Sequence, residues 1–181
     1  HTVLFPKHYP DEFRDLFERQ DVPADPTVYL CIPSRTDPSR APADGESVFA
    51  MVNAPATSGR VDWSARTPEI RERILKAIER VVPDVRSRIQ VESFVGPDDL
   101  RLRFNAPGGS IYGVTPHGRF SPFHRPVARC EGLKGLYFAG GGTHPGGGIP
   151  LCIRSGRFAA ELLEADAARG RLAPTRTDAR A

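Results

Sequence analysis

Side chains able to move a proton, attack a carbonyl or hold a metal are few in this chain and far apart. Five histidines, His1, His8, His117, His124 and His144, include no pair at metal-ligand spacing on one helix, so no metal site is read here. The three cysteines, Cys31, Cys130 and Cys152, form no CxxC pair and are odd in number. That argues against a disulfide framework or a zinc site and fits a reducing compartment, the cytoplasm. Ser155 precedes Gly156, but the flanking glycine pattern of a nucleophile elbow is missing. What stands out instead is bare backbone. Seven of the 17 glycines fall between Gly135 and Gly148, in the stretch GLYFAGGGTHPGGGIPLCIRSGR that runs from residue 135 to 157.

That stretch needs three elements to position it. Residues 136–139 (LYFA) form an apolar run of buried-strand type. Gly140, Gly141 and Gly142 then remove every β-carbon where the strand ends, which permits positive φ and close approach by another group. After Pro145, Gly148 opens a helix whose apolar residues Ile149, Ile153, Phe158, Ala159, Leu162 and Leu163 recur at helical spacing to about Ala168. A helix start carries free N–H groups and partial positive charge and can hold an anion. The turn 140–148 admits two readings, contact with a nucleotide-like cofactor or a tight turn without ligand. A G-x-G-x-x-G unit with a following acidic residue is absent, as is a Walker lysine. His144, at the mouth of the turn, is either a hydrogen-bonded structural histidine or a proton-transfer group.

The chain of 181 residues is 39% apolar and 26% charged, enough to build a core. Net charge is only +3, with arginines scattered among acids and no aromatic–basic interleaving, so no nucleic-acid site is read. No run approaches the ~18 apolar residues of a membrane span, and the N-terminus lacks signal-peptide features.

Read in order, residues 1–5 end a strand. A helix follows with Pro10 at its first position and Phe13, Leu16 and Phe17 on one face. Residues 27–32 and 47–53 read as antiparallel strands joined by the loop 33–46. Within that loop Ser34, Arg35, Thr36 and Asp37 form an Asx-type or Ser/Thr turn or line a substrate channel. A helix capped by Thr67, with Pro68 first, carries the stripe Ile70, Ile74, Leu75, Ile78 and Val81 and stops at Pro83. Residues 89–95 alternate as a strand, and residues 97–104 form a short helix. The tail 169–181 is expected to be disordered.

Four motifs in register then meet a family. GLYFAGGGTHPGGGIP (135–150) resembles the C-terminal signature of bacterial carotenoid desaturases of the phytoene desaturase type, in the FAD-dependent amine-oxidase-like superfamily. YLCIPSRTDPSRA (29–41), the PDDL and RFN of residues 97–105 with Gly109 and Ser110, and SPFHRP (121–126) match in the same order. The resemblance implies an α/β protein, α+β in its substrate part, that is the C-terminal portion of a two-domain FAD-dependent oxidoreductase. Residues 1–95 would belong to a substrate-binding domain of antiparallel sheet and helices. Residues 96–168 would return through strand, glycine turn and helix to the FAD domain, whose G-x-G-x-x-G half is missing from this chain.

It further implies that Gly140, Gly141 and Gly142 lie by the ribityl-phosphate region of FAD, and that Gly148 and Ile149 face the flavin ring. His144, Pro145, Pro150 and Leu151 would face the substrate. Superfamily amine oxidases place a Glu near position 141; Gly141 fits the carotenoid branch. Many phytoene desaturases read P-G-V where this chain has Pro150, Leu151 and Cys152, a departure that weighs against phytoene itself and leaves room for a later carotenoid, such as a hydroxylated or methoxylated intermediate. The implied reaction removes two hydrogens from a polyene, with hydride going to flavin and no catalytic base named. Binding such a substrate rests on apolar burial, roughly 25 cal/mol per Å², and implies peripheral contact with a membrane surface. A carotenoid isomerase or oxygenating relative on the same flavin frame, and a flavin-free binding module, are the alternatives.

Overall fold

The computed structural model describes residues 1–57, 61–112 and 125–172, which divide into two compact units, His1–Gly109 and Ser110–Ala181. His117, His124, most of the SPFHRP motif and the tail from residue 173 on lie outside the described residues.

The first unit is built on a three-stranded antiparallel sheet in the order β1 (Thr2–Leu4), β2 (Val28–Cys31), β3 (Phe49–Val52). The register sets Leu4 opposite Val28 and Val28 opposite Val52, while Val3, Tyr29 and Met51 align on the other face. Because side chains alternate along a strand, Leu4, Val28 and Leu30 point to one side, where they pack with Leu75, Ala77 and Ile78. Those three belong to α2 (Trp63–Glu79). A second cluster joins Trp63 and Ile70 of α2 to Val22. The strands fall where the sequence places them, and so does their antiparallel pairing.

The start of α2 differs from the sequence expectation. Asp62 is the cap, its carboxylate accepting from the Ala65 N–H at 3.1 Å, and Pro68 lies inside the helix. Trp63, only 4% exposed, shares the Ile70 face seven residues on, so its burial carries the helix a turn further toward the N-terminus. Pro68 has no N–H for the carbonyl four residues back. One residue earlier, the Thr67 hydroxyl donates to the Trp63 carbonyl at 2.7 Å.

Between β1 and β2, α1 (Tyr9–Phe13) runs into a π-helical turn (Arg14–Arg19). Its buried side is polar: Glu12, 3% exposed, accepts from the Thr27 N–H, the Thr27 hydroxyl and the Asn53 amide and so ties the helix to the strands. Phe13 and Phe17 accordingly lie outward, where Phe5, Tyr9, Phe13 and Phe17 contact ring to ring in sequence.

In the loop 33–46, two single turns (Pro33–Arg35 and Pro38–Arg40) replace irregular chain. The Asp37 carboxylate accepts from the Ser39 N–H and hydroxyl, the expected Asx turn, and the first of these causes, the Ser39 hydroxyl, holds its carboxyl below the usual range. Residues 89–95 are not a strand. After α3 (Val85–Arg88) they form no regular element, with Val91 91% exposed. Alternation makes a strand only where a neighbour supplies the ladder, and among the described residues none pairs with this segment. The helix α4 (Pro97–Phe104) forms as read, with the Gly96 N–H donating to the Asp99 carboxylate at 2.9 Å.

The second unit holds the glycine-rich stretch and α5 (Ile149–Ala168). That helix has the bounds the sequence indicates.

Candidate functional site

Residues 136–139 approach the site as one arm of a ribbon rather than as a buried strand. Tyr137 bridges Arg129, the Cys130 N–H donates to the Leu136 carbonyl at 3.0 Å, and the Phe138 N–H donates to the Ala128 carbonyl at 2.8 Å. Leu136 and Phe138 stay 39% and 38% exposed. An apolar run predicts burial, but here only the Tyr137 side of the ribbon is covered by α5.

At Gly140 the ribbon ends with φ +119°, a conformation that suits glycine. The Gly140 N–H donates to Ser155 Oγ at 3.1 Å, and the Gly140 carbonyl accepts from Thr143 Oγ1 at 3.0 Å. The two hydroxyls lie 2.7 Å apart, and both residues are buried, Ser155 completely. On the other side, Arg125 donates to the Gly141 carbonyl at 3.0 Å and its guanidinium lies beside Gly146. The His144 N–H donates to the Pro126 carbonyl at 3.0 Å.

The turn leaves bare backbone at three places. A β-carbon built on Gly140, Gly142 or Gly148 meets no atom within 4 Å. Gly141 is different, because its β-carbon would stand 3.4 Å from Gly147 Cα and 3.5 Å from Cys152 Sγ, so the turn packs on itself there. Gly148, φ +102°, caps α5. The first intrahelical bond is from the Cys152 N–H to the Gly148 carbonyl. Pro150 has no N–H, which leaves the amides of Ile149 and Leu151 as the donors at the positive end of a 20-residue helix. Gly148 adjoins these amides, and with Gly140 and Gly142 it leaves backbone of the turn open to close approach by another group. Ile149 is 79% exposed and Leu151 40%.

His144 belongs to a neighbouring feature of the same unit. It lines a mainly apolar groove of about 390 Å³ with Val127, Ala128, Phe158, Glu161 and Leu162.

Along α5 the apolar residues form two stripes, not one. Cys152, Ser155, Ala159, Leu162 and Asp166 turn inward, whereas Ile149, Ile153 and Leu163 are exposed. Ser155 and Asp166 are thus polar residues at inward helix positions, the one signal in the sequence that each has a partner. Neither partner could be identified from spacing, since Thr143 and Tyr137 sit on distant segments.

Asp166, 3% exposed, accepts two hydrogen bonds from Arg129 at 2.7 and 2.9 Å and one from the Tyr137 hydroxyl at 2.8 Å. The Tyr137 bond first, and then Arg129, holds the Asp166 carboxyl below its usual range, while burial pushes the Tyr137 phenol up. A carboxyl depressed in the folded state stabilises fully above its unfolded pKa and loses that contribution as pH falls through the folded value. Urea unfolding of Asp166→Asn should therefore show a shallower fall of stability with acid than the parent chain; superimposable pH dependences would rule this cluster out as a source of acid lability.

The comparisons with known proteins agree with this stretch. The family model described as flavin containing amine oxidoreductase matches residues 6–163. The chain is 34% identical over 164 residues to the 1-hydroxycarotenoid 3,4-desaturase of Flavobacterium sp. (strain P99-3), covering 90% of this chain and 33% of that protein. It is 37% identical over 166 residues to the hydroxyneurosporene desaturase of Rubrivivax gelatinosus (91% and 31%). It is 32% identical over 166 residues to the phytoene desaturase (neurosporene-forming) of Rhodobacter capsulatus (90% and 32%). The chain thus spans no more than a third of the length of these three relatives. With the family model reaching from the first unit through the glycine turn and most of α5, the chain belongs to the flavin containing amine oxidoreductase family.

Proposed function

We propose that this chain is the C-terminal part of an FAD-dependent carotenoid desaturase, in which the turn 140–148 and the start of α5 form the second half of the flavin site. The observation that carries the reading is the open backbone at Gly140, Gly142 and Gly148, the last adjoining the Ile149 and Leu151 amides, in a chain of a flavin-containing family. FAD, when bound, accepts the hydride. Gly140, Gly141 and Gly142 lie by its ribityl-phosphate region. Gly148 and Ile149 meet the ring, where the helix dipole favours the negative charge of the reduced form.

Residues 1–95 supply the substrate-binding part. The outward face of its sheet carries Val3, Tyr29, Cys31, Phe49 and Met51, with no charged residue among them, and Val3, Phe49 and Met51 are about half exposed. Such a face suits a long polyene without ionisable groups, held by apolar burial. His144, Pro145, Pro150 and Leu151 are the residues assigned to the substrate side at the turn. No helix among the described residues is long and apolar enough to cross a membrane. The exposed aromatic run Phe5, Tyr9 and Phe13 supports peripheral contact with a membrane surface, the source of a water-insoluble substrate.

Two of the relatives act, by their names, on hydroxylated carotenoids. With Pro150, Leu151 and Cys152 in place of the phytoene desaturase pattern, a hydroxylated substrate is the favoured class. Co-expression of the full-length gene with a panel of carotenoid precursors tests this. A product two hydrogens lighter from the hydroxylated precursor is expected; turnover of phytoene alone would overturn the substrate assignment.

A further inference from the structure

Gly140 is held by both of its backbone polar groups, and the chemistry of those groups fixes the direction of every bond. Its N–H can only donate and its carbonyl can only accept. The N–H donates to Ser155 Oγ at 3.1 Å, and because the Gly140 carbonyl takes the Thr143 hydroxyl proton, the proton between the two hydroxyls, 2.7 Å apart, is that of Ser155. Thr143 Oγ1 then spends its proton on the Gly140 carbonyl at 3.0 Å, the same carbonyl that accepts the Thr143 N–H at 3.3 Å. The result is a closed ring: Gly140 N–H to Ser155 to Thr143 and back to Gly140. Each hydroxyl both accepts and donates, so the bonds polarise one another, and Ser155 is entirely out of contact with water. A buried ring of this kind has one arrangement, and losing one member leaves the others unsatisfied.

Gly140 itself offers no side chain to hold it. At φ +119° with open space around its β-carbon position, Gly140 has no side-chain packing to orient its peptide, which is held by the ring and by the Thr143 N–H. The ring also staples the end of the ribbon to the second turn of α5, where Ser155 sits, and so fixes the spacing between Gly140 and the helix start at Gly148. We propose that Thr143 and Ser155 are positioning residues that set the glycine turn in its cofactor-receiving conformation, acting through Gly140 rather than by touching the cofactor. This rests on the flavin reading of the turn given above.

The test uses the full-length protein, stripped of flavin and titrated with FAD, with the thermal midpoint of the flavin-free form measured in parallel. Thr143→Val keeps the shape and removes the hydroxyl; Thr143→Ser keeps the hydroxyl and removes the methyl; Ser155→Ala opens the ring from the helix side. Thr143→Val and Ser155→Ala should weaken FAD binding by about tenfold or more, ~1.4 kcal/mol, and alter the shape of the bound-flavin absorption bands. Thr143→Ser should bind FAD within about twofold of the parent protein, the rescue expected if the hydroxyl is what acts. If Ser155→Ala fails to fold, the two Thr143 variants decide alone. Parent-like FAD affinity and spectrum in Thr143→Val, with a lowered thermal midpoint only, would overturn the proposal and leave the ring a structural one. Gly148→Val, measured alongside, separates the two claims. Loss of FAD there with unchanged binding in Thr143→Val defeats only the positioning role. Unchanged binding in both defeats the flavin reading itself.

Discussion

Gly148→Val in the full-length protein is expected to remove bound flavin while leaving the chain folded. A β-carbon at Gly148 meets nothing within 4 Å, so the substitution starts in open space. Its φ of +102° and ψ of 142° lie in a region that glycine alone occupies easily, which costs on the order of 1–3 kcal/mol. The larger effect falls on the ligand, because an isopropyl group would stand beside the Ile149 amide where the proposed flavin ring would approach. A loss of about 100-fold in FAD affinity, ~2.7 kcal/mol, is the expected scale. Gly170→Val is the matched control: its φ of +63° is also positive and its β-carbon also stands in open space, but Gly170 lies outside the turn. Flavin absorbance relative to protein, read on both purified variants, should be lost in the first and kept in the second. Equal flavin content would contradict the placement of the cofactor. Gly141→Val is a poorer probe, since Gly147 and Cys152 crowd that position and a folding defect would confound the reading.

The last helix and the three strands were legible from residue types because each is specified locally. In α5, Gly148 and Pro150 at the start and the Ala- and Leu-rich run from Ala159 to Ala168 mark the helix without reference to the rest of the fold. Val28 and Leu30 alternate with Tyr29 and Cys31 in the plainest strand pattern of the chain. Other features failed where the deciding interaction is distant. Thr67 and Pro68 form a sound start signal, yet the Trp63 contact with Val22 draws the helix back past them. Residues 89–95 alternate as well as β2 does, but alternation cannot supply a partner strand.

The same division runs through the site. The glycine density marked the turn, since glycine is needed where φ is positive or another group comes close. It could not reveal what holds the turn. Ser155 and Arg125 reach Gly140 and Gly141 from segments outside the turn, and no spacing rule links them; Thr143 reaches Gly140 from within the turn, three residues on. Ser155 was legible only as a serine that is not a nucleophile; its burial on the inward stripe of α5 gives it a role. Family membership came through motifs in register, which report ancestry and so carry information that local propensity does not.

If the chain serves a desaturase, electrons must leave the substrate and enter the flavin in the first turnover, whatever re-oxidises the flavin afterwards. An isomerase on the same frame rearranges double bonds with no net transfer, and a flavin-free module does neither. Anaerobic mixing of the purified full-length flavoprotein with a detergent-solubilised 1-hydroxycarotenoid separates these directly. The account predicts loss of the oxidised-flavin absorbance on substrate addition, with a product two hydrogens lighter formed in step with it. Flavin that stays oxidised while the substrate is unchanged, or is converted to a product of the same mass, would contradict it.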